Sequence, residues 1–254
     1  MGPAAPLEIT WIGHSTVLIE LDGVRLLTDP ILRANVAHLR RVAPPIATEI
    51  GRLDGVLVSH GHYDHLDVPS LRRLDPSVPV VAPAGAEPAL RRARRANVVP
   101  VAVGDELELG ALSLRATPAE HAGGGGLRKG EAVGFLVQGS ATVYFAGDTD
   151  LFDEMAALGP VDLALVPVWG WGPGLGAGHL DPERAARAVA LIEPKVAVPI
   201  HWGTYRPLHV RRGGFLTEPP VEFRRLAAKS APATRVEILQ PGETLALSPG
   251  TRAR

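Results

Sequence analysis

The chain has 254 residues, 46% of them hydrophobic, and carries 26 lysine and arginine residues against 27 acidic ones. This balance argues against a dedicated nucleic-acid binder, which usually shows a basic excess. The sequence contains no cysteine, so disulfides and thiolate ligands are excluded, and histidine and carboxylate groups must supply any metal site. The length fits one domain over residues 1–254 with a sizeable core.

Neither a signal peptide nor a membrane span is evident. The N-terminal residues 1–7 lack a basic region followed by an apolar core. No apolar run approaches the ~20 residues that cross a bilayer. We therefore expect a cytoplasmic protein without a membrane span, and the sequence leaves its oligomeric state open.

Short apolar runs predict strands in the first half of the chain. The dipeptide Asp22-Gly23 separates two such runs and predicts a hairpin. A later run, residues 55–59, leads straight into a group of histidines. Helices are predicted at residues 66–74 and 87–95. The other predicted strands are residues 9–12, 16–21, 24–27, 98–103, 112–116, 133–137 and 143–145.

The second half contains a helix with clear boundary signals. Asp181 is a plausible N-cap, Pro182 suits the first helical position, and Pro194 ends the helix. Strands at residues 163–168 and 196–200 flank it. A last helix at residues 221–229 and strands near residues 236–239 and 244–247 follow. The strands look grouped in antiparallel sets and alternate with a few helices, which predicts a layered α/β domain.

Four potential metal ligands lie within six residues, directly after the strand at residues 55–59: His60, His62, Asp64 and His65. Where a strand opens into a loop, alternate side chains can point the same way, so His60 and His62 can share one ion. Imidazole and carboxylate groups bind zinc and similar cations. A set of surface histidines is the weaker interpretation, because clustered histidines gain little from packing and repel one another when protonated.

Three more candidate ligands occupy similar positions. His121, Asp148 and His201 each follow a predicted strand. His121 comes before a glycine run, Asp148 comes directly after a small-residue turn, and His201 comes before Trp202-Gly203. Each alone has an ordinary explanation, as a capping aspartate or a hydrogen-bonded histidine. Their shared setting favours a site with two ions.

The ordered pattern of these residues resembles the metallo-β-lactamase superfamily over nearly the whole chain. The residues that carry the resemblance are Asp29, His60, His62, Asp64, His65, His121, Asp148 and His201. The resemblance implies an α/β (α+β) fold, a four-layer αββα sandwich with the metals at one edge between the two sheets. It implies one ion held by His60, His62 and His121. It implies a second ion held by Asp64, His65 and His201. Asp148 would bridge the two, and Asp29 would orient a ligand.

Three further motifs are similar to the N-acylphosphatidylethanolamine-hydrolysing phospholipase D group, whose branch includes L-ascorbate-6-phosphate lactonases. They are residues 11–16 (WIGHST), 179–183 (HLDPE) and 200–204 (IHWGT). The likeness brings His14 and His179 near the metals, so His14, His179 and Asp64 are the candidate catalytic residues. Alternatively, His14 is a strand-end residue bonded to backbone and His179 an exposed loop residue. Trp169 and Trp171 either line the pocket or pack, and residues 123–126 could form a flexible rim.

These features predict a hydrolase with two divalent ions, zinc first, with manganese or iron also acceptable to these ligands. A hydroxide shared by the two ions would attack a phosphodiester or a lactone-type ester in a small or lipid-like substrate. No nucleic-acid partner is expected. Two alternatives stay open: a metal-dependent nuclease, and a metal-binding member of the fold without turnover.

Overall fold

The computed structural model describes residues 6–46, 49–121 and 132–248. The run at residues 123–126 therefore lies outside the described residues. Most strands belong to two seven-stranded sheets. The first sheet contains β1 (Leu7–Gly13), β2 (Thr16–Leu21), β3 (Val24–Thr28), β6 (Gly55–Leu57), β7 (Val80–Pro83), β8 (Val98–Val101) and β17 (Thr244–Leu247), in the order β17-β1-β2-β3-β6-β7-β8.

The second sheet has the order β16-β14-β13-β12-β11-β10-β9. Its strands are β9 (Glu106–Leu109), β10 (Leu112–Pro118), β11 (Val133–Gln138), β12 (Thr142–Phe145), β13 (Leu163–Pro167), β14 (Val196–Ile200) and β16 (Arg235–Val236). A third, small sheet is formed by β4 (Asn35–Val36), β5 (Leu39–Arg41) and β15 (Tyr205–Pro207).

The helices form the outer layers. They are α1 (Val68–Leu71), α2 (Glu87–Arg92), α3 (Pro182–Ile192) and α4 (Glu218–Ser230), with 3₁₀ turns at Asp153–Ala157 and Gly214–Leu216. None of these described helices is long and apolar enough to cross a membrane.

Two apolar cores lie between the layers, and strand β2 contributes side chains to both of them. Val17 and Ile19 belong to the core between the two sheets, whereas Leu18 belongs to the core under α1 and α2. This alternation follows from the two-residue period of a strand. On the far side, α3 and α4 pack together over the second sheet. The predicted four-layer αββα sandwich is confirmed.

Local signals in the sequence are also confirmed. Asp22 and Gly23 both adopt positive φ, 50° and 79°, as the tight turn between β2 and β3 requires. Asp181 caps α3 by accepting a 2.8 Å hydrogen bond from the Arg184 backbone N–H. The helix ends at Ile192, and its C-cap Glu193 adopts a left-handed conformation just before Pro194.

Two predictions are wrong in detail. The helix predicted at residues 66–74 is only Val68–Leu71, because the Arg95 guanidinium takes up the carbonyls of Leu74, Asp75 and Val78 and holds the following segment as turns. The sheets are mixed rather than antiparallel. Parallel ladders join β3-β6-β7-β8 and β12-β13-β14-β16, because helices or long loops connect most of these strands.

Candidate metal centre

Six strands end at one edge of the sandwich and position the predicted site. In the first sheet β1, β3 and β6 run in the same direction, and in the second sheet β10, β12 and β14 do. Each of these strands is followed by a residue of the predicted site: His14, Asp29, His60, His121, Asp148 and His201 respectively. Strands far apart in sequence therefore deliver their polar ends to one place.

Three of these residues turn the chain sharply as the strand ends. His14, Asp29 and His201 have φ of 57°, 32° and 61°. Side chains other than glycine rarely adopt this left-handed region, and such strain clusters at functional sites. The turns let each side chain fold back over the sheet edge.

One group of three nitrogen donors comprises His60, His62 and His121. The Nδ1 atom of His62 lies 2.9 Å from His60 Nε2 and 3.0 Å from His121 Nε2. These are the three histidines predicted to hold one ion, and their ring nitrogens are close enough to share it.

A second group contains His65, His201 and Asp64, together with His14. The Nε2 atoms of His65 and His201 are 3.1 Å apart, and Asp64 Oδ2 lies 3.9 and 3.8 Å from them. Asp148 Oδ2 lies 3.1 Å from each of the same two nitrogens. Asp148 also shares ligand groups with His60 and with His121, so it stands between the two sets.

Hydrogen bonds behind the rings fix which nitrogen faces the centre. His65 Nδ1 donates to Asp29 Oδ2 at 2.6 Å, and His201 Nδ1 donates to the Trp169 carbonyl at 2.9 Å. In the neutral rings both Nε2 atoms, 3.1 Å apart, therefore present lone pairs to each other. His121 is held in the same way, because its Nδ1 donates to the Gly178 carbonyl at 2.7 Å.

Facing lone pairs at this distance call for a cation, so the side chains fit divalent metal ions. A second observation agrees: Asp148 Oδ1 is buried without a hydrogen-bond partner among the described residues. The donor set of imidazole nitrogen and carboxylate oxygen is one that zinc, manganese and iron all accept.

Nearby carboxylates favour the protonated forms of two of the predicted ligands, His201 and His65. Burial alone would lower the pKa of His201, but the charge and hydrogen bond of Asp148 raise it to about 9. Despite its burial, the pKa of His65 also rises, because Asp148, Asp29 and Asp64 surround it. Those two histidines in turn outweigh burial and hold the pKa of Asp148 well below its usual range. A bound cation would take over the role of these protons and release them.

Two other predicted residues, Asp29 and His14, contact the predicted ligands. Asp29 is fully buried and also accepts from Ser59, whose Oγ contacts His60 Nδ1 at 2.9 Å. His14 is 1% exposed, and its Nε2 donates to Asp64 Oδ2 at 3.1 Å. Burial, followed by the nearby His201, lowers the pKa of His14 to about 4, so its ring is neutral near pH 7.

His179 lies at the partly exposed side of the centre. Its side chain is 22% exposed and its Nε2 is 3.4 Å from Asp148 Oδ2. Trp171 Nε1 donates to Asp64 Oδ2 at 3.1 Å, whereas Trp169 contributes its carbonyl to His201 and packs against the main core. His38 is exposed but lies against Trp171 and Tyr63, with ring centroids 5.1 and 5.6 Å away.

Apart from Asp29, sequence reasoning missed the groups that orient the ligands from behind. Ser59 directly precedes His60, so a hydroxyl beside a ligand was a usable signal. The carbonyls of Trp169 and Gly178 leave no such signal, because every residue carries a carbonyl.

Comparison with known proteins agrees with this fold. A family model described as a β-lactamase superfamily domain matches residues 24–202. A metal-dependent hydrolase of Methanopyrus kandleri is 33% identical over 251 residues, covering 94% of this chain and 99% of the relative. An N-acyl-phosphatidylethanolamine-hydrolysing phospholipase D of Caenorhabditis elegans is 32% identical over 234 residues, covering 78% of this chain and 64% of the relative.

The solved structure of a metallo hydrolase from Ignicoccus hospitalis superposes with a TM-score of 0.74 at 25% identity, over 95% of this chain and 98% of that one. The family model spans most of the chain, and the relative from Methanopyrus kandleri aligns along almost its whole length. The chain therefore belongs to the β-lactamase superfamily, as a metal-dependent hydrolase with the metallo-β-lactamase fold.

Proposed function

We propose that this hydrolase works with two divalent metal ions and cleaves a phosphodiester or a lactone-type ester in a small or lipid-like molecule. One observation carries the proposal: metal-binding atoms of seven side chains, delivered by both sheets, converge in overlapping groups at one edge. The seven are His60, His62, Asp64, His65, His121, Asp148 and His201. One ion would need only three or four of them.

The ligands divide between two positions. His60, His62 and His121 would hold one ion, and Asp64, His65 and His201 the other. Asp148 would bridge them, since its carboxylate reaches ligands of both sets. When bound, such a pair supplies Lewis-acid charge at a reacting phosphoryl or acyl group and a water that ionises near neutral pH.

The other candidate residues would act in two ways. His179 is partly exposed and lies beside Asp148, so it is placed to contact the substrate and give a proton to the leaving group. His14 is too deeply buried to touch a substrate. It would act as a positioning residue, because its Nε2 fixes the Asp64 carboxylate.

Support for a partly apolar substrate comes from the surroundings of Asp64. Tyr63 and Trp171 pack against an apolar cluster built around the third sheet, and both are partly exposed. The relative from Caenorhabditis elegans is named for hydrolysis of a phospholipid phosphodiester. A polar centre beside an aromatic wall suits a molecule with one charged and one apolar part.

The test is a metal count combined with a substrate panel. Purified protein is stripped with a chelator and reloaded with zinc, manganese or iron(II), and bound metal is measured by mass spectrometry. The panel contains bis(p-nitrophenyl) phosphate, N-acylphosphatidylethanolamine vesicles, simple lactones and single-stranded RNA. Two ions per chain with turnover of a small diester, phospholipid or lactone supports the proposal.

Each of the other possible results of this experiment contradicts one part of the proposed function. One ion per chain overturns the two-ion centre. Turnover of RNA alone identifies a nuclease. Two ions without turnover of any of these substrates favours a metal-binding protein without catalysis.

A further inference from the structure

One segment of the chain contacts ligands from both halves of the proposed centre. It is the glycine-rich loop, residues 169–179, which leads from β13 towards α3. Along this segment two backbone carbonyls and two side chains reach four predicted ligands, His201, Asp64, His121 and Asp148.

The first part of the loop holds ligands of one proposed ion. The Trp169 carbonyl accepts from His201 Nδ1 at 2.9 Å, and Trp171 Nε1 donates to Asp64 Oδ2 at 3.1 Å. Because Asp64 Oδ2 also accepts from His14 at 3.1 Å, donors from two distant parts of the chain fix one carboxylate oxygen. Trp171 is therefore one of two clamps on that ligand.

The last part of the loop holds ligands of the other side. The Gly178 carbonyl accepts from His121 Nδ1 at 2.7 Å. His179 Nε2 lies 3.4 Å from Asp148 Oδ2, the proposed bridge. Within the ten residues that separate Trp169 and His179, the loop therefore contacts ligands of both proposed ions.

Apart from the packing of Trp169 and Trp171 against apolar clusters, few interactions among the described residues hold the shape of the loop. Five of its eleven residues are glycine, which lose the most conformational entropy when a chain becomes ordered. Its internal hydrogen bonds run from Trp169 Nε1 to the Gly172 carbonyl and from His179 Nδ1 to the carbonyls of Gly176 and Ala177. The contacts with the ligands must supply much of the remaining order.

We propose that the glycine-rich loop is a clamp across both metal positions, with Trp171 as a positioning residue, so that metal binding orders the loop and the ordered loop strengthens metal binding. The inference rests on the proposed two-ion centre. The two effects are reciprocal, because a coupling free energy acts equally in both directions. Trp171 acts through Asp64 and need not touch the substrate.

Hydrogen–deuterium exchange on the whole unmodified chain tests the coupling without any variant. Peptides covering residues 169–179 are compared in the chelator-stripped and zinc-loaded forms. We expect exchange in this loop to slow markedly on zinc loading, whereas peptides from α4, which lies in the outer helical layer, should change little. Equal exchange of the loop in both forms would overturn the inference.

Substitution of one indole tests the role of Trp171. W171F keeps an aromatic ring but removes the N–H that Asp64 accepts. Zinc affinity, measured by competition with a chromophoric chelator, should fall about 10–100-fold for one of the two ions. The zinc-loaded variant should also exchange faster in the loop than the zinc-loaded parent.

W169F is the matched control, because it removes an indole N–H from the same loop whose acceptor is the loop's own Gly172 carbonyl. It should keep both zinc affinities closer to those of the parent. Unchanged affinity in W171F, or an equal loss in W169F, would remove Trp171 as a positioning residue. A parent protein that fails to bind two ions would instead overturn the proposed function, so the two failures are distinguishable.

Discussion

Two regions contact ligands of both proposed ions, and they differ in burial and in the atoms they use. The buried base consists of Asp29 and Ser59, both 0% exposed. Asp29 accepts from His65, and Ser59 connects Asp29 to His60. The glycine-rich loop is partly exposed and reaches His201 and His121 through backbone carbonyls.

This difference determines which contacts a single substitution can remove in each region. The base depends on two fully buried side chains, where a lost partner leaves a buried group unpaired. The loop depends largely on carbonyls, which survive most substitutions, and on one indole N–H at its edge. We therefore expect a change in the base to lower both zinc affinity and stability, and a single change in the loop to act on one ligand at a time.

The largest effect is expected at Asp148, which lies between His65, a ligand held by the base, and His179 of the loop. D148A removes the carboxylate that lies 3.1 Å from both His65 and His201. The metal content should fall below two ions per chain, and kcat/KM should fall at least about 10²–10³-fold, as when a group facing developing charge is lost. Mass spectrometry and the most active substrate of the panel measure the two effects.

Asp153, an exposed carboxylate of the following 3₁₀ turn, provides the control. D153A should leave the metal content and the rate unchanged. Two ions and full turnover in D148A would remove the bridging role.

The next largest effect should come from the base itself. D29N keeps the shape of Asp29, but its amide must turn a donor towards either the His65 ring or Ser59, both of which already donate to it. We expect zinc affinity to fall about 10–100-fold. The free energy of unfolding of the metal-free protein should fall by about 1–3 kcal/mol. Chelator competition and urea denaturation measure these quantities.

Asp22 offers a closely matched control, because it accepts from the backbone N–H and hydroxyl of Ser140 just as Asp29 accepts from those of Ser59. D22N lies in the β2–β3 turn, so it should lose stability without losing zinc affinity. If D29N and D22N bind zinc equally well, the base does not support the metals.

The same difference explains which parts of the site could be predicted from the sequence. Asp29 of the base could be predicted, because Asp29 and the histidines at residues 60–65 are side chains with a recognisable order along the chain, whereas Ser59 was missed. The four-layer fold followed from the family resemblance that this order carries, whereas local signals such as the Asp181 cap placed single elements. The loop contacts were not accessible, since a carbonyl acceptor has no residue type.

Pairing between distant strands was also beyond local patterns. The third sheet is built from strands of two or three residues, too short to show a period of two, and β15 joins β5 across more than 160 residues. Nothing in the sequence near Leu39–Arg41 indicates that this strand pairs with β15. Likewise, the burial of His14 depends on Tyr205 and His201, whose rings lie beside it only in the folded chain.

His14 sharpens the comparison, because it supports Asp64 from the buried side while Trp171 does so from the loop. H14A should lower kcat and weaken zinc binding about 10-fold, the lower end expected for a residue that orients a metal ligand, and it should leave KM nearly unchanged. H14Q, which can still donate a hydrogen bond, should recover part of the loss. A raised KM with normal zinc affinity would instead indicate that His14 contacts the substrate.

The effect of replacing the loop residue His179 should depend on the leaving group, and it should be the smallest of these effects only where the leaving group needs no proton. H179N removes the partly exposed imidazole beside Asp148. p-Nitrophenolate leaves without a proton, so hydrolysis of bis(p-nitrophenyl) phosphate should slow only a few-fold. A substrate with an alkoxide leaving group needs the proton, and general-acid catalysis is worth about 10²–10⁴-fold in such cases. Equal losses on both substrates would mean that His179 serves the loop and Asp148 alone, whereas a selective loss identifies the proton donor.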